Sequence, residues 1–140
     1  MKYLFKPLFR DLKISIRNLF QFFKVVWNYR WWDSGYSMDI FIKAIELQAR
    51  YTKKYGITYA GDKDPIVAKM ERAVKLWKDH IDNEIEEAET YYGVDTLDEN
   101  TTEQQRQKVY DLSTKLEQDY WEEFWSILQD NEYGVKTWWD

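Results

Sequence analysis

The stretch PLFRDLKISIRNLFQFFKVVWNYRWW, residues 7–32, is the strongest structural signal in the sequence. Its apolar residues recur at spacings of three and four, which is the period of one face of an α-helix. They are Leu8, Leu12, Ile16, Leu19, Phe23 and Val26, and the stripe is widened by Phe9, Phe20 and Trp27. Pro7 suits the first turn of a helix, because its missing N–H would have no helical partner there. The stretch therefore predicts a long amphipathic helix.

Two further helical segments follow the first one. Asp33–Gly35 interrupts the first pattern, and a second pattern runs from Ser37, the expected N-cap, to about residue 55. Asp64 and Pro65 form the clearest helix start in the chain, an N-cap acid followed by proline at the first helical position. We expect this third helix to continue without a break until just before Gly93.

The fourth helical segment begins after an acidic loop. Thr101 with Gln104, or Thr102 with Gln105, is expected to form a capping box at its start. No segment alternates strictly between apolar and polar residues, as a strand would. The sequence therefore predicts an all-α fold of about four helices, with a long amphipathic N-terminal helix plus a helical bundle. Residues 1–32 would form the basic, aromatic helix and residues 33–140 an acidic helical body, within a single domain overall.

Charge is distributed unevenly along the chain. Residues 1–30 carry seven Lys and Arg against Asp11 alone, a net charge of +6. The rest of the chain has a net charge of −11, so the total is −5. A basic helix joined to an acidic body suits three kinds of partner, namely nucleic acid, a membrane surface, or an acidic protein surface such as a second copy of the chain.

The apolar side of the N-terminal helix is the predicted partner-binding surface. Arg17 and Lys24 interrupt its apolar run, whereas a transmembrane span needs about 20 mostly apolar residues. We favour packing against protein, either in a core or between subunits, and attachment to a membrane surface is the alternative. The residues predicted to contact the partner are Leu12, Ile16, Leu19, Phe23, Trp27, Trp31 and Trp32.

Aromatic side chains beside cations suggest a second kind of site. Single-stranded nucleic acid and nucleotides are held by stacking of bases on aromatic rings next to positive charge. The candidates for such stacking are Tyr29, Arg30 and Tyr36. The acidic body would repel a polyanion, so nucleic acid is the less favoured partner.

No pattern in the sequence predicts catalysis. The chain has no cysteine, and it lacks both a Gly-rich phosphate loop and a nucleophile elbow. In the densest polar run, residues 78–89, His80 and Glu84 would share one face of a continuous helix. A chain with a single histidine cannot supply the paired Glu-x-x-His motifs of a di-iron bundle. We therefore interpret this face as solvated, and we predict a non-enzyme with no catalytic residue, metal site or cofactor.

Trp31, Trp32, Asp33 and Tyr36 form a WWDxxY segment that follows the basic helix. In this arrangement, and in the helical residues 46–55 that come after it, the chain resembles a group of small tailed-bacteriophage proteins. The resemblance implies a phage origin and a location in the cytoplasm of an infected bacterium. It implies no activity and no catalytic residue.

These patterns predict a non-enzymatic interaction protein, and the resemblance implies that it is of phage type. It would associate with itself or with a host or phage protein, in an accessory, host-takeover or anti-defence role. The alternatives are a virion structural component, a binder of nucleotides or single-stranded nucleic acid, and a peripheral membrane protein attached through the N-terminal helix.

Overall fold

The structure of the protein, a computed structural model, describes residues 2–55 and 63–138; for residues 2–8 and 63–64 it describes the backbone alone. Most of these residues belong to five α-helices, which are α1 (Lys2–Asn28), α2 (Ser34–Tyr55), α3 (Lys63–Lys75), α4 (Glu84–Tyr92) and α5 (Glu103–Gln129). A π-helix at Leu76–His80 follows α3, and a 3-10 helix at Val135–Thr137 follows α5. The described ranges contain no strand, so the predicted all-α class is confirmed.

The chain divides into two compact units, and the division falls inside α2, between Leu47 and Gln48. The first unit contains α1 and the first part of α2. The second unit contains the last turns of α2 and all the later helices. The division predicted between residues 32 and 33 stays a prediction.

In the first unit, α1 ends at Asn28 and not at the predicted Trp32. The last carbonyl groups of a helix lack helical partners, and here Arg30 supplies one. Its guanidinium Nη1 donates to the carbonyl oxygens of Asn28 at 3.2 Å and of Tyr29 at 3.1 Å. Arg30 therefore caps the C-terminal end of α1.

The second helix begins four residues earlier than predicted, at Ser34. Asp33 Oδ1 accepts a hydrogen bond from the backbone N–H of Gly35 at 2.8 Å. An aspartate in this position satisfies one of the free N–H groups of the first helical turn. The prediction of Ser37 as the cap is wrong, and Asp33 takes that role.

The predicted third helix is broken into two, which is why the structure has five α-helices where about four were expected. The backbone N–H of Ile81 donates to the carbonyl oxygen of Leu76 at 2.8 Å, the five-residue closure of a π-turn. Residues five apart in an α-helix point about 140° away from each other. The wider π-turn brings Leu76 and Ile81 to the same side, and both are buried. Asp82 then adopts the left-handed backbone conformation with a φ of 70°, and α4 begins at Glu84.

The predicted start of α3 is wrong, since α3 begins at Lys63 and Asp64 lies within it instead of capping it. Two other helix ends of the second unit follow the sequence signals. Gly93 closes α4 in the left-handed conformation, with a φ of 64°, as its position after the apolar pattern predicted. Thr102 and Gln105 form the reciprocal hydrogen bonds of a capping box at the start of α5. Of the two boxes proposed from the sequence, this is the one that forms.

The core of the second unit lies among α3, the π-helix, α4 and α5. Its fully buried side chains include Ile66 and Met70 of α3, Leu76 of the π-helix, and Val109 and Phe124 of α5. In α4, Ala88 is buried, whereas Ile85 is exposed.

Candidate functional site

The apolar residues of α1 form an exposed surface. We call it the apolar face of α1; its members are Phe9, Leu12, Ile16, Leu19, Phe20, Phe23, Val26 and Trp27, all of them exposed. Leu19 has 66% of its surface exposed, and Phe23 has 53%. Five of the seven residues predicted to bind a partner belong to this face. Trp31 and Trp32 follow the helix and are exposed as well.

The apolar face is wide. At about 100° per residue, its eight members and the half-buried Phe22 fall within an arc of about 160° around the helix axis. The arc extends along the helix from Phe9 to Trp27, a length of about 27 Å at 1.5 Å per residue. A strict two-stranded coiled-coil seam is narrower than this.

Four exposed cations lie along one edge of the apolar face. Arg10, Lys13, Arg17 and Lys24 occupy a neighbouring arc of about 60°, on the side of Phe20. Arg10 Nε is paired with Asp11 Oδ1 at 3.1 Å. The other three cations have no ion pair within the described residues. The helix therefore has an apolar face with a basic border.

The C-terminal end of this surface is rich in tryptophan. Phe23 and Trp27 stack with their ring centroids 5.4 Å apart, and Trp31 meets Trp32 edge to face at 5.6 Å. Trp31 is 80% exposed. Large exposed indole rings are typical of interfaces, because they offer apolar area together with one polar N–H group.

The three residues proposed for nucleotide stacking have other contacts. Arg30 donates to the carbonyl groups at the end of α1, as described above. The hydroxyl of Tyr29 lies 3.5 Å from Ser37 Oγ, and Tyr36 is half-buried. The Arg30 guanidinium is thus engaged with backbone in the arrangement that the structure shows.

The polar run of the second unit forms a hydrogen-bonded network. His80 Nδ1 lies 2.7 Å from Glu87 Oε1, and the hydroxyl of Tyr120 donates to Glu87 Oε2. In a continuous helix, residues seven apart would be about 10 Å apart along the axis. The break at residues 81–83 lets His80 meet Glu87, so the predicted shared face of His80 and Glu84 does not form.

Charge and burial at this network affect Tyr120 and Glu123 on α5. The pKa of Tyr120 is raised to about 12. Burial is the main cause, and the hydrogen bond to the Glu87 carboxylate is the second. Arg72 Nε donates to Glu123 Oε1 at 2.6 Å, and this hydrogen bond is the main cause of the lowered pKa of Glu123. These hydrogen bonds thus link α3, the π-helix and α4 to α5.

An open cleft of about 660 Å³ borders the network on its α4 side. The cleft is lined by Asp79, Asn83, Glu86, Glu87, Thr90 and Tyr91. In the part of the chain that the structure describes, no group of three or more His, Asp or Glu side chains is arranged to hold a metal ion. The sequence had not indicated the contacts among His80, Glu87 and Tyr120, because they depend on the π-turn.

Compared with known protein families, with characterised proteins and with solved structures, the chain matches none. Among residues 2–55 and 63–138, no helix has the length and apolar content that crossing a bilayer requires. The apolar face of α1, with its basic border and tryptophan-rich end, is the candidate functional site.

Proposed function

We propose that this is a non-enzymatic interaction protein that attaches to another surface by burying the apolar face of α1. The observation that supports the proposal is the exposure of that face along the whole described length of its side chains, from Phe9 to Trp27. Soluble monomers rarely leave a continuous apolar patch of more than a few hundred Å² in contact with water. Covering this face would therefore release a substantial amount of free energy.

The first prediction is that the purified chain self-associates in water through this face. Without another surface, copies of α1 cover one another's apolar side chains. We expect the molar mass of the wild type, measured by light scattering, to exceed that of a monomer and to rise with concentration. Leu19→Asp places a charge in the centre of the face and should shift the protein towards the monomer.

Asn18→Asp is the matched control for Leu19→Asp. It adds the same charge one residue away, about 100° from Leu19 around the helix axis and outside the arc of the apolar face, so its molar mass should follow that of the wild type. Circular dichroism should show equal helix content in all three proteins. A wild type that stays monomeric at every concentration and has the same mass as Leu19→Asp would contradict the prediction of self-association through the apolar face.

The phage setting belongs to the same proposal. The likeness of the WWDxxY segment to small tailed-phage proteins suggests that the surface bound by α1 is found in an infected bacterium. An accessory, host-takeover or anti-defence role and a role in the virion are both compatible with attachment through α1. These roles stay predictions.

A further inference from the structure

The width of the apolar face bears on the shape of its partner. A single helix packed against α1 covers only a narrow seam of side chains. A flat apolar layer covers up to half of a helix that lies parallel to it. The arc of about 160° in α1 matches the second geometry. Ser15 is the one polar residue that falls within this arc in the described part of the helix.

The position of the cations bears on the charge of the partner. The border of the apolar face includes Lys13, Arg17 and Lys24. In long side chains of this kind, the aliphatic stem can lie along an apolar surface while the charged end extends towards water. In an anionic bilayer, the negatively charged headgroups lie at the depth that these charged ends would reach. A second copy of α1 would instead bring further positive charge to the same border.

The tryptophan-rich end bears on the depth of contact. Trp27, Trp31 and Trp32 are all exposed, and indole rings favour the layer between headgroups and acyl chains because one edge is polar. A helix with these rings at one end and cations along one side has the composition of helices that lie in the plane of a membrane surface.

We propose that the surface bound by α1 is an anionic lipid bilayer, with α1 lying in the plane of the interface. This inference rests on the proposed function, since it names the partner of the same apolar face. The apolar face enters the boundary between headgroups and acyl chains. The cations of its border bind lipid phosphates and carboxylates.

The test uses the full chain and two kinds of vesicle, one of phosphatidylcholine mixed with phosphatidylglycerol and one of phosphatidylcholine alone. Bound protein is measured by sedimentation with the vesicles. We expect binding to the mixed vesicles and much weaker binding to the neutral ones. Replacing Lys13, Arg17 and Lys24 together by Gln should lower the partition coefficient about 100-fold, at about fivefold for each charge lost near an anionic surface.

Two isoleucines of α1 provide a matched pair for the apolar contribution. Ile16 lies on the apolar face and is 46% exposed, whereas Ile14 lies on the opposite side and is 40% exposed. Ile16→Gln should weaken binding to the mixed vesicles about tenfold, because it removes an apolar side chain from the acyl region. Ile14→Gln should bind as the wild type does.

The outcomes separate this inference from the proposed function. Self-association that depends on Leu19, without binding to either vesicle, would overturn the bilayer inference and leave a second copy or another protein as the partner. Equal effects of Ile16→Gln and Ile14→Gln on vesicle binding would also overturn it. If the chain neither binds vesicles nor self-associates through the face, both proposals are wrong.

Discussion

The carboxylate of Asp130, at the end of α5, accepts hydrogen bonds from three donors. Its Oδ1 accepts from the backbone N–H of Glu132 at 2.9 Å and from that of Tyr133 at 2.6 Å. Its Oδ2 accepts from the ammonium of Lys69 on α3. The pKa of Asp130 is lowered to about 2 from an ordinary value of 3.8. The hydrogen bond from Lys69 is the main cause, and those from the backbone come second. One side chain thus shapes a turn and joins two helices.

The second prediction concerns the pH dependence that Asp130 confers. A carboxylate whose pKa falls on folding stabilises the protein above its unfolded pKa, and this stabilisation is lost as the pH falls through the folded pKa. The wild type should therefore be more stable than Asp130→Asn above about pH 5, and the difference should shrink between about pH 4 and pH 2. Urea unfolding at several pH values, followed by circular dichroism, measures it.

Glu132→Gln is the control for this experiment, since it removes an exposed carboxylate from the same turn. Its free energy of unfolding should stay close to that of the wild type across the pH range. A difference between the wild type and Asp130→Asn that is the same at pH 3 and at pH 7 would contradict the lowered pKa.

At the scale of elements, the joint between α3 and α4, residues 76–83, departs from α-helical geometry. The π-turn closes with the hydrogen bond from Ile81 to Leu76, and Asp82 follows with a φ of 70°. Residues other than glycine are uncommon at positive φ, although Asp and Asn tolerate it better than most. The joint aligns the buried Leu76 with the buried Ile81, and it directs His80 towards Glu87.

The third prediction tests the backbone conformation at Asp82. Asp82→Gly should retain or slightly raise the free energy of unfolding, because glycine adopts a positive φ without steric cost. Asp82→Ala should lower it by about 1 kcal/mol, because alanine keeps the Cβ that crowds the following carbonyl and lacks the short polar side chain that lets aspartate tolerate this conformation. The two midpoints of urea unfolding give the difference directly.

Asp79→Ala serves as the control, because Asp79 is exposed and lies in the π-helix, three residues before Asp82. It should change the midpoint little. If Asp82→Ala proved as stable as Asp82→Gly, the left-handed conformation at residue 82 would be wrong.

At the scale of the whole molecule, the C-terminal segment completes the second unit. Trp138 has only 3% of its surface exposed, and its Nε1 donates to the carbonyl oxygen of Tyr133 at 2.7 Å. Gln48 Nε2, at the start of the unit, donates to the carbonyl oxygen of Trp138 at 3.0 Å. The first and last described residues of this unit are therefore in direct contact across 90 positions of sequence.

The fourth prediction follows from this contact. Trp138→Ala should lower the free energy of unfolding by about 3 kcal/mol, the loss typical of removing a large buried ring. Trp125→Ala should cost less than half as much, because Trp125 is 45% exposed. Urea unfolding of both variants and the wild type gives the comparison. Equal losses would contradict the burial of Trp138.

Local signals predicted the regular parts of the fold. The period of three and four defined α1, Gly93 marked the end of α4, and Thr102 with Gln105 marked the start of α5. The break at residues 76–83 could not be read in the same way. It depends on burying Leu76 and Ile81 together, and burial of that kind comes from packing against residues distant in sequence.

The candidate site was predictable in its apolar part and less so in its polar part. Leu19 and Phe23 follow from helical period alone, because an amphipathic pattern defines its own face. The partner of Arg30 did not follow, since a guanidinium can pair equally well with a base, a carboxylate or a carbonyl group. The structure brings it to the carbonyl groups of Asn28 and Tyr29, which lie only one and two residues before it.

The uneven exposure of the tryptophans makes the protein its own fluorescent reporter. Trp31 and Trp32 are in contact with water, whereas Trp138 is enclosed, so a soluble quencher should reach the first two and leave the last. Attachment of α1 to a surface would shield the outer rings without altering the inner one. Unfolding would do the reverse, by exposing Trp138. The emission spectrum with and without quencher can therefore tell binding from denaturation in a single unlabelled sample.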